Sequence, residues 1–172
     1  QKAFLYFYGL DKVWTVNPSA STEANFKISD AAIDLSAYNG NDTRPEVFSI
    51  KSVAGKVFAF MQRLDTTPVY PDPWIKEGSY VAVYDSTDLS QEIDTGKGAN
   101  NLKGIELPVQ NPISVAYHQE VGFLLAAVSD YNGAGKAKDG GILKINPSTY
   151  ATELLISDEE SDSAPYFIDA AF

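Results

Sequence analysis

The chain of 172 residues contains 44% hydrophobic and 12% aromatic residues, a composition typical of a globular domain and unlike that of disordered proteins. Its 13 basic and 23 acidic residues give a net charge of −10, which disfavours nucleic acids and anionic membranes as partners. The absence of cysteine excludes disulfides, thiolate metal sites and cysteine nucleophiles, and no apolar run reaches the roughly 18 residues that a membrane span requires.

The predicted strands form three groups along the chain. The first group comprises residues 3–8, 13–16 and 25–28. The second comprises residues 45–50, Lys56–Met61, 81–84 and 91–93, and the third comprises residues 112–117, 122–128, 142–145 and 152–156. A last strand is predicted at residues 165–172. Apolar residues alternate with a period of two, and Gly, Pro, Asn and Asp interrupt them repeatedly, so no helix of ordinary length is predicted.

One strand and turn pattern occurs three times. The sequences VWTVNPS, VAVYDST and ILKINPS each indicate a strand that ends in a turn. Their turn residues Asn17, Asp85 and Asn146 are 68 and 61 positions apart, a regular spacing that indicates an internal repeat.

The repeat predicts a β-propeller. With the strands of a unit named a to d, the chain follows the order bcd, abcd, abcd, a, and prolines at 45, 112 and 165 are predicted to open each strand a. Four-stranded sheets repeated around an axis are propeller blades. The prediction is a single all-β domain, an incomplete propeller with blades at about 1–30, 45–94 and 111–157 and a further blade beginning at 165–172. Since propellers usually have at least four blades, a longer chain or a second chain is expected to supply the rest.

The same segments carry a family resemblance. The stretches VAVYDSTD, ILKINPST, PEVFSI, GKVFAFMQRLD and DGGILKIN resemble the YVTN-type repeats of bacterial YncE-like propellers from the cell surface and periplasm. This resemblance implies an exported protein, at the cell surface, in the periplasm or outside the cell. It also implies a binding or scaffold role.

The connections at one end of the predicted sheets are long and acidic. They cover residues 29–46, 65–79, 94–111, 130–140 and 157–165 and contain nine of the net ten negative charges. Long loops on a rigid scaffold often carry function, so this end is predicted to bind a protein, a glycan or a cation. Solvation of ordinary polar loops explains the same distribution. The residues assigned to this binding face are Glu46, Asp65, Tyr70, Trp74, Asn111, Asp130 and Asp139.

Two loops contain the oxygen ligands that calcium prefers. Asp130 and Asn132 alternate in a loop with several glycines, and Asn39, Asn41 and Asp42 lie close together in another. Calcium is therefore the one cofactor that the sequence suggests. Solvated turns, stabilised by Asn and Asp side chains, explain both loops as well.

Three further features have both a functional and a structural explanation. Tyr70 and Trp74 are suited to stacking on a sugar or a proline-rich segment, although three prolines in the same loop favour a merely stiffened loop. The acidic residues in 158–162 suit a cation or a basic partner, and a solvated charge run is the alternative. His118 is the single histidine, and its predicted turn at the opposite end favours a structural role.

Two functions remain open at this stage. The chain contains no G-x-S-x-G elbow, P-loop, dinucleotide fingerprint or H-E-x-x-H motif. The first hypothesis is a non-enzymatic, exported binding or scaffold module with an acidic, loop-rich face. The alternative is a calcium-dependent propeller enzyme of lactonase or hydrolase type, which predicts a tight carboxylate and asparagine cluster near Glu46, Asp65 and Asn111.

Overall fold

The computed structural model describes residues 3–26, 32–69, 72, 74–128 and 139–158. This part of the chain is all-β, with antiparallel sheets as predicted. Its only helical segments are single turns at Glu23–Phe26 and Ser36–Tyr38, so no described helix is long and apolar enough to cross a membrane. The predicted strand at 165–172 lies outside the described residues.

The first sheet contains β1 (Ala3–Tyr6), β2 (Lys12–Val16) and β3 (Ile33–Asp34), in that order. The strand predicted at residues 25–28 is wrong for its described part, because residues 25 and 26 belong to the helical turn. The third strand forms later, where Ile33 and Leu35 can bury their side chains completely. Exposed residues around 25 gain nothing comparable from pairing with β2.

The second sheet has four strands and a side hairpin. The strands are β4 (Val47–Val53), β5 (Lys56–Met61), the hairpin strands β6 (Leu64–Asp65) and β7 (Ile75–Lys76), then β8 (Tyr80–Asp85) and β9 (Ile105–Glu106). The sheet order is β4-β5-β8-β9, and β6 pairs with β7 alone.

The last strand of the second sheet differs from the prediction. Residues 91–93 form only an isolated bridge, between Glu92 and Tyr84, and the edge strand is β9. The chain between them closes on itself, since the Thr95 amide donates to the Lys103 carbonyl at 2.9 Å. Residues 94–104 therefore project from the edge of the sheet, and not from the end to which the acidic loops were assigned.

The third sheet contains the four strands that the sequence predicted. They are β10 (Pro112–His118), β11 (Gly122–Ala127), β12 (Gly141–Ile145) and β13 (Thr152–Ser157), in that order. The first strands β4 and β10 share an irregularity, because the register shifts after Val47 in one and after Pro112 in the other. Pro112 thus corresponds to Val47 and not to Pro45, so the predicted alignment of the two prolines is wrong by two positions.

The three main sheets are stacked, with the second between the other two. One apolar core joins the first sheet to the second, and a separate core joins the second to the third. Phe58 and Phe60 of β5 meet Phe123 of β11 in the latter core, with ring centroids 4.9 and 5.2 Å apart. The repeated pattern VWTV, VAVY and ILKI occupies β2, β8 and β12, which is the next-to-last strand of every main sheet.

Candidate functional site

Buried polar side chains concentrate at one end of the stacked sheets. We call this the loop end, where β4 and β10 begin and β5 and β11 end. Of the buried polar residues in the described part of the chain, all but Thr15 lie there. The residues at the loop end are Glu46, Gln62, Asp65, Ser79, Asn111 and Asp158.

Glu46 and Asn111 occupy equivalent positions in adjacent sheets. Each precedes the first strand of its sheet, is 0% exposed and has a positive φ, of 47° and 51° respectively. The Glu46 carbonyl accepts a hydrogen bond from the Gln62 amide, and the Asn111 carbonyl accepts one from Val128, both at 3.1 Å. Asparagine tolerates the left-handed conformation, whereas a glutamate there is uncommon and is found where surrounding structure or function requires it.

The Gln62 side chain links the three main sheets. Its Oε1 accepts a hydrogen bond from the Tyr8 hydroxyl at 2.7 Å, and its Nε2 donates to Asn111 Oδ1 at 2.7 Å. Tyr8 lies in the connection after β1, Gln62 follows β5, and Asn111 leads into β10. Side-chain hydrogen bonds therefore cross from the first sheet to the third.

Ser79 holds the backbone beneath this chain of hydrogen bonds. Its hydroxyl donates to the Gln62 carbonyl at 2.9 Å and accepts from the Asn111 amide at 3.2 Å. Gln62 and Asn111 are thus fixed through both their backbones and their side chains.

We expect Gln62→Met to lower the free energy of unfolding by about 1–3 kcal/mol, because it leaves buried Asn111 Oδ1 without a donor while keeping the side-chain length. Urea unfolding measures the change. Gln91→Met, at an exposed position, is the matched control and is expected to have little effect. Equal losses in both variants would contradict the proposed role of the buried hydrogen bonds.

Two polar atoms at the centre of the cluster have no hydrogen-bond partner. Glu46 Oε2 accepts from the Leu64 amide at 2.9 Å, but Glu46 Oε1 is buried and unpaired. Asn111 Nδ2 is likewise buried and unpaired. Each such atom costs about 1–3 kcal/mol in a folded protein, so these two, at equivalent positions in adjacent sheets, indicate a place for a ligand or a bound water. Three further buried oxygens also lack partners, in Asn39, Gln110 and Asp158, and Asp158 likewise lies at the loop end.

The environment of Glu46 favours its protonated form. Burial, together with the smaller contributions of the charges of Asp42 and Glu77, raises the pKa of this carboxyl from its ordinary value of 4.5 to about 8. The Leu64 amide and the Arg44 guanidinium oppose this shift. At neutral pH the carboxyl therefore keeps its proton, unless a cation takes the place of that proton.

The loop predicted to bind calcium makes hydrogen bonds within the protein. Asn39 Nδ2 donates to Asp11, and the Asn41 amide donates to the carboxylate of Glu77, with both oxygens at 3.1 Å. Asp42 Oδ2 accepts from the amide and hydroxyl of Thr66, at 3.1 and 2.8 Å. The contacts with Glu77 and Thr66 attach the loop to the β6 and β7 hairpin, and the contact with Asp11 attaches it to the first sheet.

The other predicted face residues are dispersed. Asp65 Oδ1 accepts from the Thr67 amide and hydroxyl, and these hydrogen bonds lower its pKa. Asp139 forms an ion pair with Lys76, at 2.7 Å, which joins the long loops of the second and third sheets. Trp74 lies half-buried directly before β7. The predicted residues Tyr70, Asp130 and Asn132, like the acidic residues 159–162, lie outside the described part.

A second polar pocket lies between the edges of the first two sheets. Glu92 accepts a hydrogen bond from the Tyr38 hydroxyl, which in turn accepts from the Gly104 amide at 2.8 Å. Burial raises the pKa of Glu92. Asp34 and Lys103 also line the pocket. The Tyr38 hydroxyl is hydrogen-bonded to both Glu92 and Gly104, whereas Glu46 and Asn111 each keep an unpaired atom.

Sequence reasoning selected Glu46 and Asn111 but missed Tyr8, Gln62 and Ser79. Gln62 offered one signal, as the polar residue that ends the apolar run of β5. Nothing local marked Tyr8 or Ser79, because their role depends on contacts between sheets. Among the described residues, no three or more His, Cys, Asp or Glu side chains group in a way that could hold a metal ion by themselves.

Comparison with known proteins gives no match: no family model, no curated protein and no solved structure matches the chain.

Proposed function

We propose that this chain is part of a β-propeller that acts as a non-enzymatic binding module, with a hard cation held at the loop end by Glu46 and Asn111. The observation that carries the proposal is the pair of buried, unpaired atoms at equivalent positions in adjacent sheets, Glu46 Oε1 and Asn111 Nδ2. The propeller architecture is supported by the stacking of the three sheets and by the repeated pattern in the same strand of each.

The side chains at this site suit a hard cation if the hydrogen-bonded amide groups of Gln62 and Asn111 are both turned over. Turning over the amide planes of Gln62 and Asn111 preserves a hydrogen bond between them and directs Asn111 Oδ1 to the side that now carries Nδ2. Gln62 Nε2 then donates to the Tyr8 hydroxyl, which is also able to accept. Glu46 Oε1 and Asn111 Oδ1 become the protein ligands, and water completes the coordination as calcium commonly requires.

Charge also favours a cation over a neutral or anionic ligand. The acidic residues Asp42 and Glu77 are close enough to Glu46 to raise its pKa, and the whole chain carries a net charge of −10. An exported location, which the YncE-like resemblance implies, would expose the site to calcium. Extracellular calcium modules typically bind with Kd on the order of 0.1–1 mM.

Calorimetric titration of the chain with calcium chloride tests this proposal. Binding is expected to be weak at about pH 6 and at least ten-fold tighter at about pH 8.5, because the ion displaces the proton of Glu46. Repeating the titration near neutral pH in buffers of different ionisation enthalpy counts the protons released. About one proton per bound calcium is expected.

Two matched variants complete the experiment. Glu46→Gln is expected to abolish both binding and proton release, whereas Glu120→Gln, in the turn at the opposite end, should leave them unchanged. Asn111→Asp, which adds a carboxylate, should tighten binding at high pH. The proposal is wrong if calcium fails to bind at about 10 mM, far above the expected Kd, or binds Glu46→Gln as well as the parent chain.

One observation supports the alternative of a calcium-dependent hydrolase. A carboxyl whose pKa lies near neutrality, as burial gives Glu46, is suited to transferring a proton. That alternative predicts hydrolysis of lactones or simple esters that depends on both calcium and Glu46. Binding without hydrolysis supports the module.

A further inference from the structure

Each main sheet has two distinct faces. We call the face directed towards the preceding sheet the front face and the one directed towards the following sheet the back face. In β5 of the second sheet, Val57 and Ala59 belong to the core shared with the first sheet, whereas Phe58 and Phe60 belong to the core shared with the third. In the equivalent strand β11, Phe123 lies on the front face and packs against the second sheet. Both internal interfaces are therefore formed by a back face against a front face.

The first sheet has a front face against which no other described sheet packs. Val13 on its back face packs against the second sheet. The alternate positions point the other way. The Phe7 side chain is 51% exposed there and packs edge-on against Trp14, with ring centroids 5.9 Å apart. Five apolar side chains line an open pocket on this face, namely Leu5, Phe7, Trp14, Val16 and Phe26.

The third sheet has the opposite kind of surface, a back face against which no other described sheet packs. Ala126, Ile142 and Ile156 lie opposite one another across β11, β12 and β13; Ile156 is 48% exposed, whereas Ala126 is buried. The nearby ion pair between Lys144 and Glu153, at 3.4 Å, neutralises the charges on this face. The same face also carries the polar residues Ser114 and His118, opposite Ala126 and Gly122.

We propose that copies of this chain associate head-to-tail, with the back face of the third sheet of one copy against the front face of the first sheet of the next. The two faces are of the same two kinds, front and back, that pack together at both internal interfaces. A second copy thus presents to each face a partner of the matching kind. Such a contact uses different surfaces on the two copies, so it either closes into a ring or continues as a filament.

This association is independent of the proposed cation site. It follows from the equivalence of the strands, since β5 and β11 direct the same alternate positions to the front. Exposed apolar faces of this kind generally mark surfaces that bind another protein. A different protein with an apolar surface is the alternative occupant, and sedimentation velocity of the purified chain distinguishes it from a second copy.

Sedimentation velocity of the purified chain between about 1 and 100 μM tests the association. Dimers or larger species that increase with concentration are expected, since a head-to-tail contact forms by mass action. Phe7→Glu blocks the front face and Ile156→Lys blocks the back face, both at exposed positions. Each variant alone is expected to be monomeric, and circular dichroism verifies that it remains folded. Val69→Glu, at a side chain 79% exposed in a loop, is the control and should associate like the parent chain.

Mixing the two blocked variants gives the decisive result. The intact back face of Phe7→Glu can bind the intact front face of Ile156→Lys, so the mixture should form a dimer that grows no further. A monomeric parent chain would overturn the proposal and leave the faces to another partner. Self-association of either folded variant alone would also overturn the proposal, because it would show that a face binds the identical face of another copy.

Discussion

Replacing Glu46 with glutamine is expected to remove much of the decrease in stability that the parent chain shows as pH rises from about 4.5 to about 8. The folded protein keeps the Glu46 proton up to about pH 8, whereas the unfolded chain releases it near the ordinary pKa of 4.5. The folded state therefore binds more protons in this window, and the free energy of unfolding falls as pH rises. Each unit of pKa difference corresponds to about 1.4 kcal/mol, so the total effect is a few kcal/mol.

Urea unfolding at a series of pH values measures this dependence. Glu92, whose pKa is also raised, contributes a residual decrease of the same sign that Glu46→Gln leaves in place. Asp34, Asp65 and Asp85 have lowered pKa values, so their contributions are lost only at lower pH. Glu23→Gln, at an exposed position, should leave the pH profile unchanged. If Glu46→Gln has the same profile as the parent chain, the carboxyl is not protonated in the folded state.

Replacing Phe123 with alanine is expected to lower the free energy of unfolding by about 3–5 kcal/mol. The side chain is 0% exposed, and its ring contacts Phe58, Phe60 and Tyr117 at centroid distances of 4.9 to 5.2 Å. Its removal leaves a cavity at the centre of the core between the second and third sheets. Rigid strands on both sides limit how far the cavity can collapse.

The neighbouring residue gives a matched control for that loss. Leu124 follows Phe123 in β11, but lies on the back face, against which no other described sheet packs, and is half-buried. Leu124→Ala is expected to cost less than about 1.5 kcal/mol in urea unfolding at low protein concentration, with an unchanged m value. Similar losses for the two variants would mean that the stacking of the sheets does not dominate stability.

The sequence predicted the longer strands well because their signal is local. Alternating apolar residues and a polar turn identified β2, β8 and β12 as repeats of one another, and all three occupy the same place in their sheets. The strand Lys56–Met61 has the predicted bounds. The side chains of these strands pack against the neighbouring sheets on both faces. Their hydrophobic pattern can therefore be recognised without knowing which sheet each strand packs against.

The short edge strands could not be predicted in the same way. β3 and β9 have two residues each, too few to display a period. Their positions depend on which segment, after a long connection, can bury apolar side chains beside β2 and β8. The described residues 25 and 26 of the first predicted segment and the predicted segment 91–93 lie nearer in sequence, but they do not form the regular edge strands.

At the candidate site, the sequence indicated which positions could be functional but not which residues they contact. Glu46 and Asn111 were selected because they stand beside predicted first strands at the loop-rich end. Their link through Gln62 and Tyr8 joins residues from three sheets, and no sequence spacing indicates it. Conversely, the ligand-like series Asn39, Asn41 and Asp42 proves to form hydrogen bonds to neighbouring loops.

The amino-acid sequence by itself determined the all-β class, the repeating strand and turn unit and the acidic character of the chain. These properties follow from local alternation, turn residues and charge, which act over a few neighbouring residues. Only the tertiary structure decided which polar groups are buried together and which apolar faces have no neighbour among the described sheets. Burial and hydrogen-bond pairing depend on surfaces brought together from segments distant in sequence, so the unpaired atoms of Glu46 and Asn111 become visible only when the sheets are stacked.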